Sequence, residues 1–405
     1  MARLVLLAAT ATVTIVTAAA AGFVHPGVLV SGQRLADIRA AVAGGLSPAP
    51  EALANARASP YANTSWALQG PPANLSITCG SYSRPDWGCT AESDDGAAAY
   101  LQALLYQLTG EPEYAAKAMQ IMDAYARVRE YTLSNAPLQA AWGASKWTRA
   151  AELIIHSDAG WPAASQAAFL AFLTGVSLPL IKDGSRANGN WELSMVEAVL
   201  GIAVLTEDAA LLQHAVGIYR KRIPAYYFLS SIDGDAPVEP PGYPGTNWNG
   251  QTVFNSSVDG VCQETCRDFG HTQMGTAAAL NAAETAFIQG VDLYAEVAPR
   301  LTPALEFHAR FLLGAPAPAY LCNGSALKLS LAPTFEVGYR HYATVSKAAP
   351  LPLTWRHVLT QVRPMRDEVN TLMMVHETLS HGAPGPAVVH GAPAPLLPAE
   401  QRPRW

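Results

Sequence analysis

The sequence predicts an all-α protein, folded as an incomplete (α/α) toroid or barrel of helix pairs. Apolar residues recur mostly at three- and four-residue spacing, and few segments alternate in the way that strands do. Short turns join successive helical segments, which lets each helix pair bury its apolar face on the next pair. Because no sequence repeat of fixed period is present, a closed helical barrel fits better than an open solenoid.

The helical segments follow one another along most of the chain. The first, DDGAAAYLQALLYQLTG, ends at Gly110, and the second has Pro112 in its first turn, where a missing N–H is tolerated. The later segments are LQAAWGASKWTRAAELIIH, WPAASQAAFLAFLTGVSLPLI, NWELSMVEAVLGIAVL, EDAALLQHAVGIYRKRI, GHTQMGTAAALNAAETAFIQGV and LTPALEFHARFLLG. Two long irregular stretches, 60–92 and 230–260, interrupt the series, and long loops inside compact domains usually carry function.

The two ends of the chain differ in composition from the helical part. Residues 1–21 predict a signal peptide, with one early Arg, an apolar middle and small residues at the end. This apolar run is shorter than the roughly 20 residues of a spanning helix, and we expect no later segment to be apolar enough to span. Residues 381–405 are rich in Pro and Ala and are predicted to be disordered. We therefore expect a secreted, extracellular protein with one toroid domain at 22–380 and no membrane contact after signal cleavage.

Secretion permits disulfides and glycosylation. Cys79 and Cys89 bracket the turn-rich segment GSYSRPDWG and are predicted to pair. Cys322 could pair with Cys262 or Cys266, or those two could pair with each other, because spacing does not decide connectivity. N-x-S/T sequons, which predict glycosylation, occur at Asn63, Asn74, Asn255 and Asn323.

The charge balance and the missing motifs exclude several functions. Lys plus Arg number 26 and Asp plus Glu number 32, the formal net charge is −6, and no basic block occurs. We therefore do not expect nucleic-acid binding by phosphate neutralisation. HETLSH places its second His one residue too late for the H-E-x-x-H zinc motif, and C-x-x-C, P-loop, GxSxG and Rossmann patterns do not occur. We predict no metal and no cofactor.

The segment VDGVCQETCRDFGHTQMG concentrates polar residues just before an Ala-rich helical run. If the helix begins near Phe269, Arg267 and His271 lie on one side of it. A helix N-terminus binds anions, Arg offers a fork for a carboxylate, and His can exchange a proton near neutral pH. The alternative is a capping cluster, with Asp268 as the cap and Arg267 paired to Glu264.

Three further clusters carry polar or aromatic residues. In SRANGNWELSMVEA, Asn190 is either a helix cap or a ligand for a carboxylate, and Trp191 either stacks on a sugar ring or packs in the core. In AAWGASKWTRAAELI, Lys146 and Arg149 share a helix face, which is either solvated or part of a sugar cleft. In TFEVGYRHYA, Tyr339 and Tyr342 share a side with Glu336; they are either core residues or candidates for general acid or base.

Five segments, in the same order, resemble the alginate lyase superfamily of polysaccharide lyases, and most closely its branch of alginate and glucuronan lyases, family thirty-eight. They are CGSYSRPDWGCTAESDDGAAAYLQAL, NAPLQAAWGASKWTRAAELI, NGNWELSMVEA, DGVCQETCRDFGHTQMG and TFEVGYRHYA, and they span about Cys79 to Ala343. The resemblance implies a helical toroid with a deep cleft. It also implies metal-independent β-elimination on a uronic-acid polymer, an acidic polysaccharide, without a cofactor.

The resemblance also implies residue roles. β-Elimination needs a group that neutralises the C5 carboxylate, a base for the C5 proton and an acid for the leaving O4. Carried over by motif, Asn190 neutralises the carboxylate with help from Arg267, and His271 is the base or a second carboxylate contact. Tyr339 donates the proton, with Tyr342 as its substitute. The residues implied to line the cleft are Trp191, Gln263, Lys146 and Arg149.

Two positions depart from the better-known alginate lyase family. That family carries an Asn-His pair where this chain has Asn190-Trp191, and a catalytic Tyr seven residues after the Arg, where this chain has Met274. We therefore expect His271 and a downstream Tyr to take over these roles. Two alternatives stay open: a non-catalytic polyuronate-binding protein on the same fold, and a helical-barrel hydrolase that uses an acid pair such as Asp95 and Glu264.

Overall fold

The computed structural model describes residues 22–240, 246–365, 369–372 and 374–385. The predicted signal peptide and most of the predicted tail lie outside these ranges. Helix makes up 61% of the structure and strand 3%, which confirms the all-α class. The long helices are arranged in pairs, as the predicted (α/α) toroid requires.

Helices account for nearly all the regular structure. The α-helices are α1 (Gly32–Ala43), α2 (Ala49–Ala58), α3 (Cys89–Thr109), α4 (Pro112–Tyr125), α5 (Ala136–Ile155), α6 (Ala163–Phe172), α7 (Leu178–Ile181), α8 (Gly189–Leu205), α9 (Ala209–Tyr226), α10 (Ser230–Asp233), α11 (Phe269–Ile288), α12 (Leu293–Leu312), α13 (Phe335–Tyr339), α14 (Pro352–His357) and α15 (Glu377–His381). π-Helical turns follow α6 (Leu173–Ser177), α13 (Arg340–Val345) and α14 (Val358–Val362). The strands are β1 (Ser76–Cys79), β2 (Asp86–Trp87), β3 (Glu130–Thr132), β4 (Val369–Asn370) and β5 (Met374–Val375).

The helices α3, α5, α8 and α11 pack side by side as an inner row, and α4, α9 and α12 pack against their preceding helices. Small residues let the inner helices approach closely. A Cβ on Gly201 of α8 would lie 2.3 Å from Oγ1 of Thr148 on α5. The contact between these two helices therefore depends on glycine at this position.

The four inner helices run in the same direction. Gln139, in the first turn of α5, donates a hydrogen bond of 2.8 Å to Glu92 in the first turn of α3. Farther along, Arg149 of α5 pairs with Glu197 of α8, and Asn281 of α11 donates to the same carboxylate at 3.2 Å. The N-terminal ends of these helices therefore lie at one rim of the toroid, where their dipoles favour anions.

A small sheet and two disulfides fix the segments around this rim. The sheet has the order β2-β1-β3 and contacts α3 and α5. The predicted Cys79–Cys89 disulfide is confirmed and joins β1 to the first residue of α3. Among the pairings left open, the structure forms Cys266–Cys322 and leaves Cys262 as a buried free thiol.

The expectation that no later segment is apolar enough to span a membrane is wrong. The continuous helix Ala163–Ile181 is long and apolar enough to cross a membrane, by length and composition only, and 28% of its apolar window is buried. Its inner side packs Phe169 against Trp147 and Phe172 against Tyr131. Alanines on its outer side add apolar character without adding to the core.

Candidate active site

The loop 262–268 precedes α11 and lies beside the start of α8. Gln263 holds this loop in position through hydrogen bonds. The side chain of Gln263 is fully buried. Its Nε2 group donates to the carbonyl of Ala225, and its Oε1 accepts from the backbone N–H of Gly189, each at 2.9 Å. Gln263 was expected to line the cleft. The structure instead uses both ends of its amide to join α9, the loop and the first residue of α8.

Glu264 orients the guanidinium group of Arg267. Its carboxylate is buried, and its Oε1 accepts a hydrogen bond of 3.0 Å from Nδ2 of Asn188, the N-cap residue of α8. Its Oε2 lies 3.5 Å from Nη1 of Arg267. The Arg267 side chain is 25% exposed, so this guanidinium is held from behind by Glu264 while part of it faces solvent.

His271 and Asp268 form a hydrogen-bonded pair at the start of α11. Asp268 caps the helix by accepting from the His271 N–H at 2.8 Å, and His271 Nδ1 lies 2.8 Å from both Asp268 oxygens. Burial opposes ionisation of Asp268, but hydrogen bonds from the His271 side chain and backbone lower the pKa of its carboxyl below the usual value. The carboxylate therefore favours a proton on Nδ1, so Nε2 carries the lone pair of the neutral ring. The capping interpretation is confirmed, because Asp268 caps the helix and Arg267 pairs with Glu264. The functional roles of Arg267 and His271 stay predictions.

Asn190 presents its amide at the neighbouring helix start. It is the second residue of α8 and is 2% exposed. Its Oδ1 accepts from the N–H of Trp191 at 2.9 Å, which turns the Nδ2 group away from the helix backbone. Within the ranges described, no hydrogen-bond acceptor engages that Nδ2 group. Trp191 is half-buried and packs against the core, which is the second of the two interpretations given for it above.

Lys146 and Arg149 do not line an open cleft. Both side chains are buried inside the seam between α3, α5 and α8. Lys146 Nζ donates to the carbonyls of Trp142 at 2.8 Å and Leu372 at 3.3 Å, and burial lowers its pKa to about 7 although Glu92 opposes the shift. Arg149 pairs with Glu197, as described above. These two side chains therefore belong to the helix seam beneath the rim and not to an open cleft.

The two candidate tyrosines differ in environment. Tyr342 is 1% exposed, and its hydroxyl donates to the Tyr294 carbonyl at 3.1 Å, so it is a core residue. Tyr339 is partly exposed and stacks on Trp355, with ring centroids 4.5 Å apart, and burial raises the pKa of its phenol. Its helix packs on α11 near Leu280, about 13 Å farther along the axis than His271. The structure therefore does not bring Tyr339 into contact with the rim residues.

Tyr226 is a residue that the sequence analysis missed. It ends α9 and is fully buried between the N-terminal parts of α8 and α11. A Cβ on Gly189 would lie 2.2 Å from its ring, and one on Gly275 would lie 2.0 Å from its hydroxyl. The buried Cys262 thiol is a weak hydrogen-bond partner beside this hydroxyl, and burial raises the pKa of the phenol well above its usual value. Gly189 and Gly275, at the starts of α8 and α11, were the sequence signal for this residue, because glycine at both positions leaves room for a large side chain.

Comparison with known proteins gives a family match for part of the chain and a similar fold for most of it. Residues 84–228 match the family described as Alginate lyase. The fold is similar to alginate lyase A1-III from Sphingomonas species A1, with a TM-score of 0.61 and 17% identity over 90% of this chain and 98% of that one. It is equally similar to two variants of that enzyme complexed with a tetrasaccharide. The Tyr-to-Phe variant gives a TM-score of 0.62 with 17% identity over 90% and 98% of the chains, and the His-to-Ala variant 0.62 with 17% over 89% and 98%.

A search of curated proteins found no match. The match confirms that residues 84–228 resemble the alginate lyase family, and the shared fold agrees with it; the branch of family thirty-eight stays a prediction. The match over 84–228 includes Asn190 but ends before Arg267 and His271. The roles of those two residues therefore depend on the geometry of the rim.

Proposed function

We propose that this chain, an (α/α) toroid of the alginate lyase superfamily, cleaves a uronic-acid polymer of the alginate or glucuronan type by β-elimination without a metal. The observation that carries the proposal is the arrangement at the rim. An amide on Asn190, a guanidinium on Arg267 and the Asp268–His271 pair lie at or just before the N-terminal ends of adjacent parallel helices.

The C5 carboxylate of the uronate binds first in this scheme. Asn190 Nδ2 and Arg267 donate hydrogen bonds to it, and the helix N-termini add positive potential. Neutralising the carboxylate makes the C5 proton more acidic, because the charge that develops on C5 spreads onto oxygens that are already held by donors. Glu264 keeps Arg267 in position for this contact.

His271 then acts as the base. Its Nε2 takes the C5 proton, and Asp268 stabilises the imidazolium through Nδ1. The electron pair of the C5–H bond forms the C4=C5 double bond, and the C4–O4 bond breaks. A tyrosine donates a proton to O4. The family resemblance implies Tyr339, which lies away from the rim residues, and Tyr226 is the second candidate because it packs against Gly189 and Gly275 beside them. No water is consumed, and one product carries an unsaturated uronate.

The direct test is absorbance of unsaturated uronate on a panel of glucuronan, polymannuronate, polyguluronate and hyaluronan. We expect a rise that resists chelator and that falls by at least about 10²-fold in rate in Asn190→Ala and His271→Ala. His214→Ala, which changes an exposed histidine near the start of α9, at the opposite end of that helix from Tyr226 and the rim, is the matched control and should keep full activity. A flat trace with folded wild-type protein would contradict the proposal.

A second candidate is a protein that binds polyuronate without cleaving it. The observation that favours it is Trp191 and Met274 at the positions where the better-known family has His and Tyr. It predicts binding to the panel with no double bond formed.

The hydrolase alternative is disfavoured, because Asp95 already accepts hydrogen bonds from Trp66 Nε1, the Gln69 and Gly70 N–H groups and the Tyr125 hydroxyl.

Secretion and glycosylation are part of the proposal. Two disulfides suit an oxidising compartment. The four sequon asparagines, Asn63, Asn74, Asn255 and Asn323, are all exposed. We expect the chain expressed in a eukaryotic host to reach the medium and to lose mass on treatment with an N-glycosidase. Intracellular retention without any change in mass would argue against both.

A further inference from the structure

A histidine–glutamate–histidine cluster lies where the N-terminal segment meets the C-terminal end of α5. His25 Nδ1 is 3.1 Å from each carboxylate oxygen of Glu152, and His156 Nε2 is 3.6 Å from Glu152 Oε1. One ligand atom from each of the three residues lies within 4.8 Å of the others. Three residues of the types that bind zinc therefore converge on one point.

The buried carboxylate of Glu152 is paired with histidines and not with a lysine or arginine in the described ranges. Its side chain is fully buried. In the described ranges its oxygens contact His25, His156 and the Gly27 N–H, which donates at 2.9 Å, and no lysine or arginine lies within ion-pair distance. Burying a carboxylate is costly unless it is paired or binds a metal. A cation between the two imidazoles and Glu152 would remove that cost.

The distances suit a small divalent ion. With Zn–N bonds of about 2.0–2.1 Å, the ligand atoms of a tetrahedral site lie about 3.3 Å apart, close to the two separations from Glu152. Outer contacts are also present: Glu207 Oε1 lies 3.8 Å from His25 Nε2, and Gly27 holds Glu152 Oε2. The His25 and His156 rings stack 4.1 Å apart, so His156, which is 31% exposed, must turn to place its nitrogen on the ion.

We propose that His25, Glu152 and His156 bind a divalent transition-metal ion, with zinc the best fit, and that the ion fastens the N-terminal segment to α5. The site lies at the C-terminal end of α5, opposite the rim that carries Asn190 and His271. It holds the fold together and takes no part in β-elimination. The N-terminal segment also contacts α11 through a 2.9 Å hydrogen bond from the Val24 N–H to Gln289, so the ion would tie two inner helices at that end.

The test uses the full chain, stripped with chelator and titrated with Zn²⁺ and with Co²⁺. We expect one ion per chain, a visible Co²⁺ spectrum of tetrahedral type, and a melting temperature that rises with Zn²⁺. His25→Gln and His156→Gln should each weaken binding at least about 100-fold and remove the melting shift. His214→Ala should bind as the wild type does, because His214 lies outside the cluster, against the Asp183 carboxylate at 3.3 Å and the Lys182 carbonyl at 2.9 Å.

Either of two results would overturn the proposal. One is the absence of stoichiometric binding at micromolar Zn²⁺, which would mean that the two histidines hold Glu152 by protons alone. The other is binding that persists in both His25→Gln and His156→Gln. His156→Gln alters a partly exposed position, so circular dichroism of that variant should show a folded protein even if His25→Gln unfolds. Lyase activity on the stripped protein should be unchanged below the melting temperature.

Discussion

Asp268 accepts two hydrogen bonds from His271, one from its backbone N–H and one from its ring Nδ1, each 2.8 Å long. One carboxylate therefore starts α11 and also sets the tautomer of the candidate base. In the proposed mechanism the same residue links helix capping to proton transfer, which accounts for polar groups at the start of this helix.

Asp268→Asn tests separately the helix cap and the contact with the His271 ring, which this carboxylate makes together. Asparagine still caps a helix well, but its amide does not stabilise an imidazolium. We expect kcat to fall about 10²–10⁴-fold while the melting temperature changes little. Asp208→Asn is the matched control, because Asp208 caps α9 through a 2.9 Å bond to Leu211 and lies away from the rim. Unchanged kcat in Asp268→Asn would remove the pair from the mechanism.

Tyr226→Phe and Tyr339→Phe identify the proton donor. The Tyr226 hydroxyl is buried beside the Cys262 thiol, which is only a weak hydrogen-bond partner, so its removal should change stability little. A loss of kcat of about 10²-fold or more in one variant, with a normal melting temperature, would name that residue as the donor. If both variants keep full kcat, neither tyrosine donates the proton.

Lys146 should make stability rise with pH above neutrality. Burial lowers its pKa to about 7 in the folded protein, whereas the unfolded side chain keeps its proton up to about 10.5. Between these values the unfolded state binds more protons, so the free energy of unfolding increases with pH by at most about 1.4 kcal/mol per unit. Urea unfolding at the two ends of this window should show that slope in the wild type and in Lys182→Met, which alters an exposed lysine. Lys146→Met should flatten it, and an equal slope in both variants would contradict the assignment.

Gly201→Ala and Gly217→Ala test the packing of the inner helices. The new Cβ at position 201 would meet Thr148 Oγ1 at 2.3 Å, and the one at position 217 on α9 would meet nothing within 4 Å. We expect Gly201→Ala to lower the free energy of unfolding by about 1–3 kcal/mol. Gly217→Ala should raise it by up to about 1 kcal/mol through helix propensity. Chemical denaturation of both variants measures the difference, and equal effects would mean that α5 and α8 are not packed as closely as described.

The local features of the rim could be predicted from the sequence, but the partners of its side chains could not. Asp268, Phe269 and His271 follow a cap pattern that depends only on neighbours in the chain, and the structure has that cap. Gln263 and Lys146 were assigned to a cleft because the family resemblance implies that position for them. Their partners, Gly189 and Leu372, are remote in sequence, so only the folded chain shows that these side chains are internal.

The same limit applies to Tyr226 and to the cysteines. Tyr226 is one of several tyrosines near the end of a helix, and its place at the rim follows from helix packing rather than from its neighbours. Cys266 and Cys322 meet because two long loops meet, and the spacing could not choose between them and Cys262.

The most direct test of the central claim is the mass of the products from a defined uronate oligomer cleaved by the wild-type protein. β-Elimination breaks the bond without water, so the fragment from the leaving side keeps its full mass and the other fragment is lighter by one water than its hydrolysis product. We predict that unsaturated mass in every cleavage event, and its loss in His271→Ala. Fragments that all carry the added water would contradict the account and assign the toroid to hydrolysis.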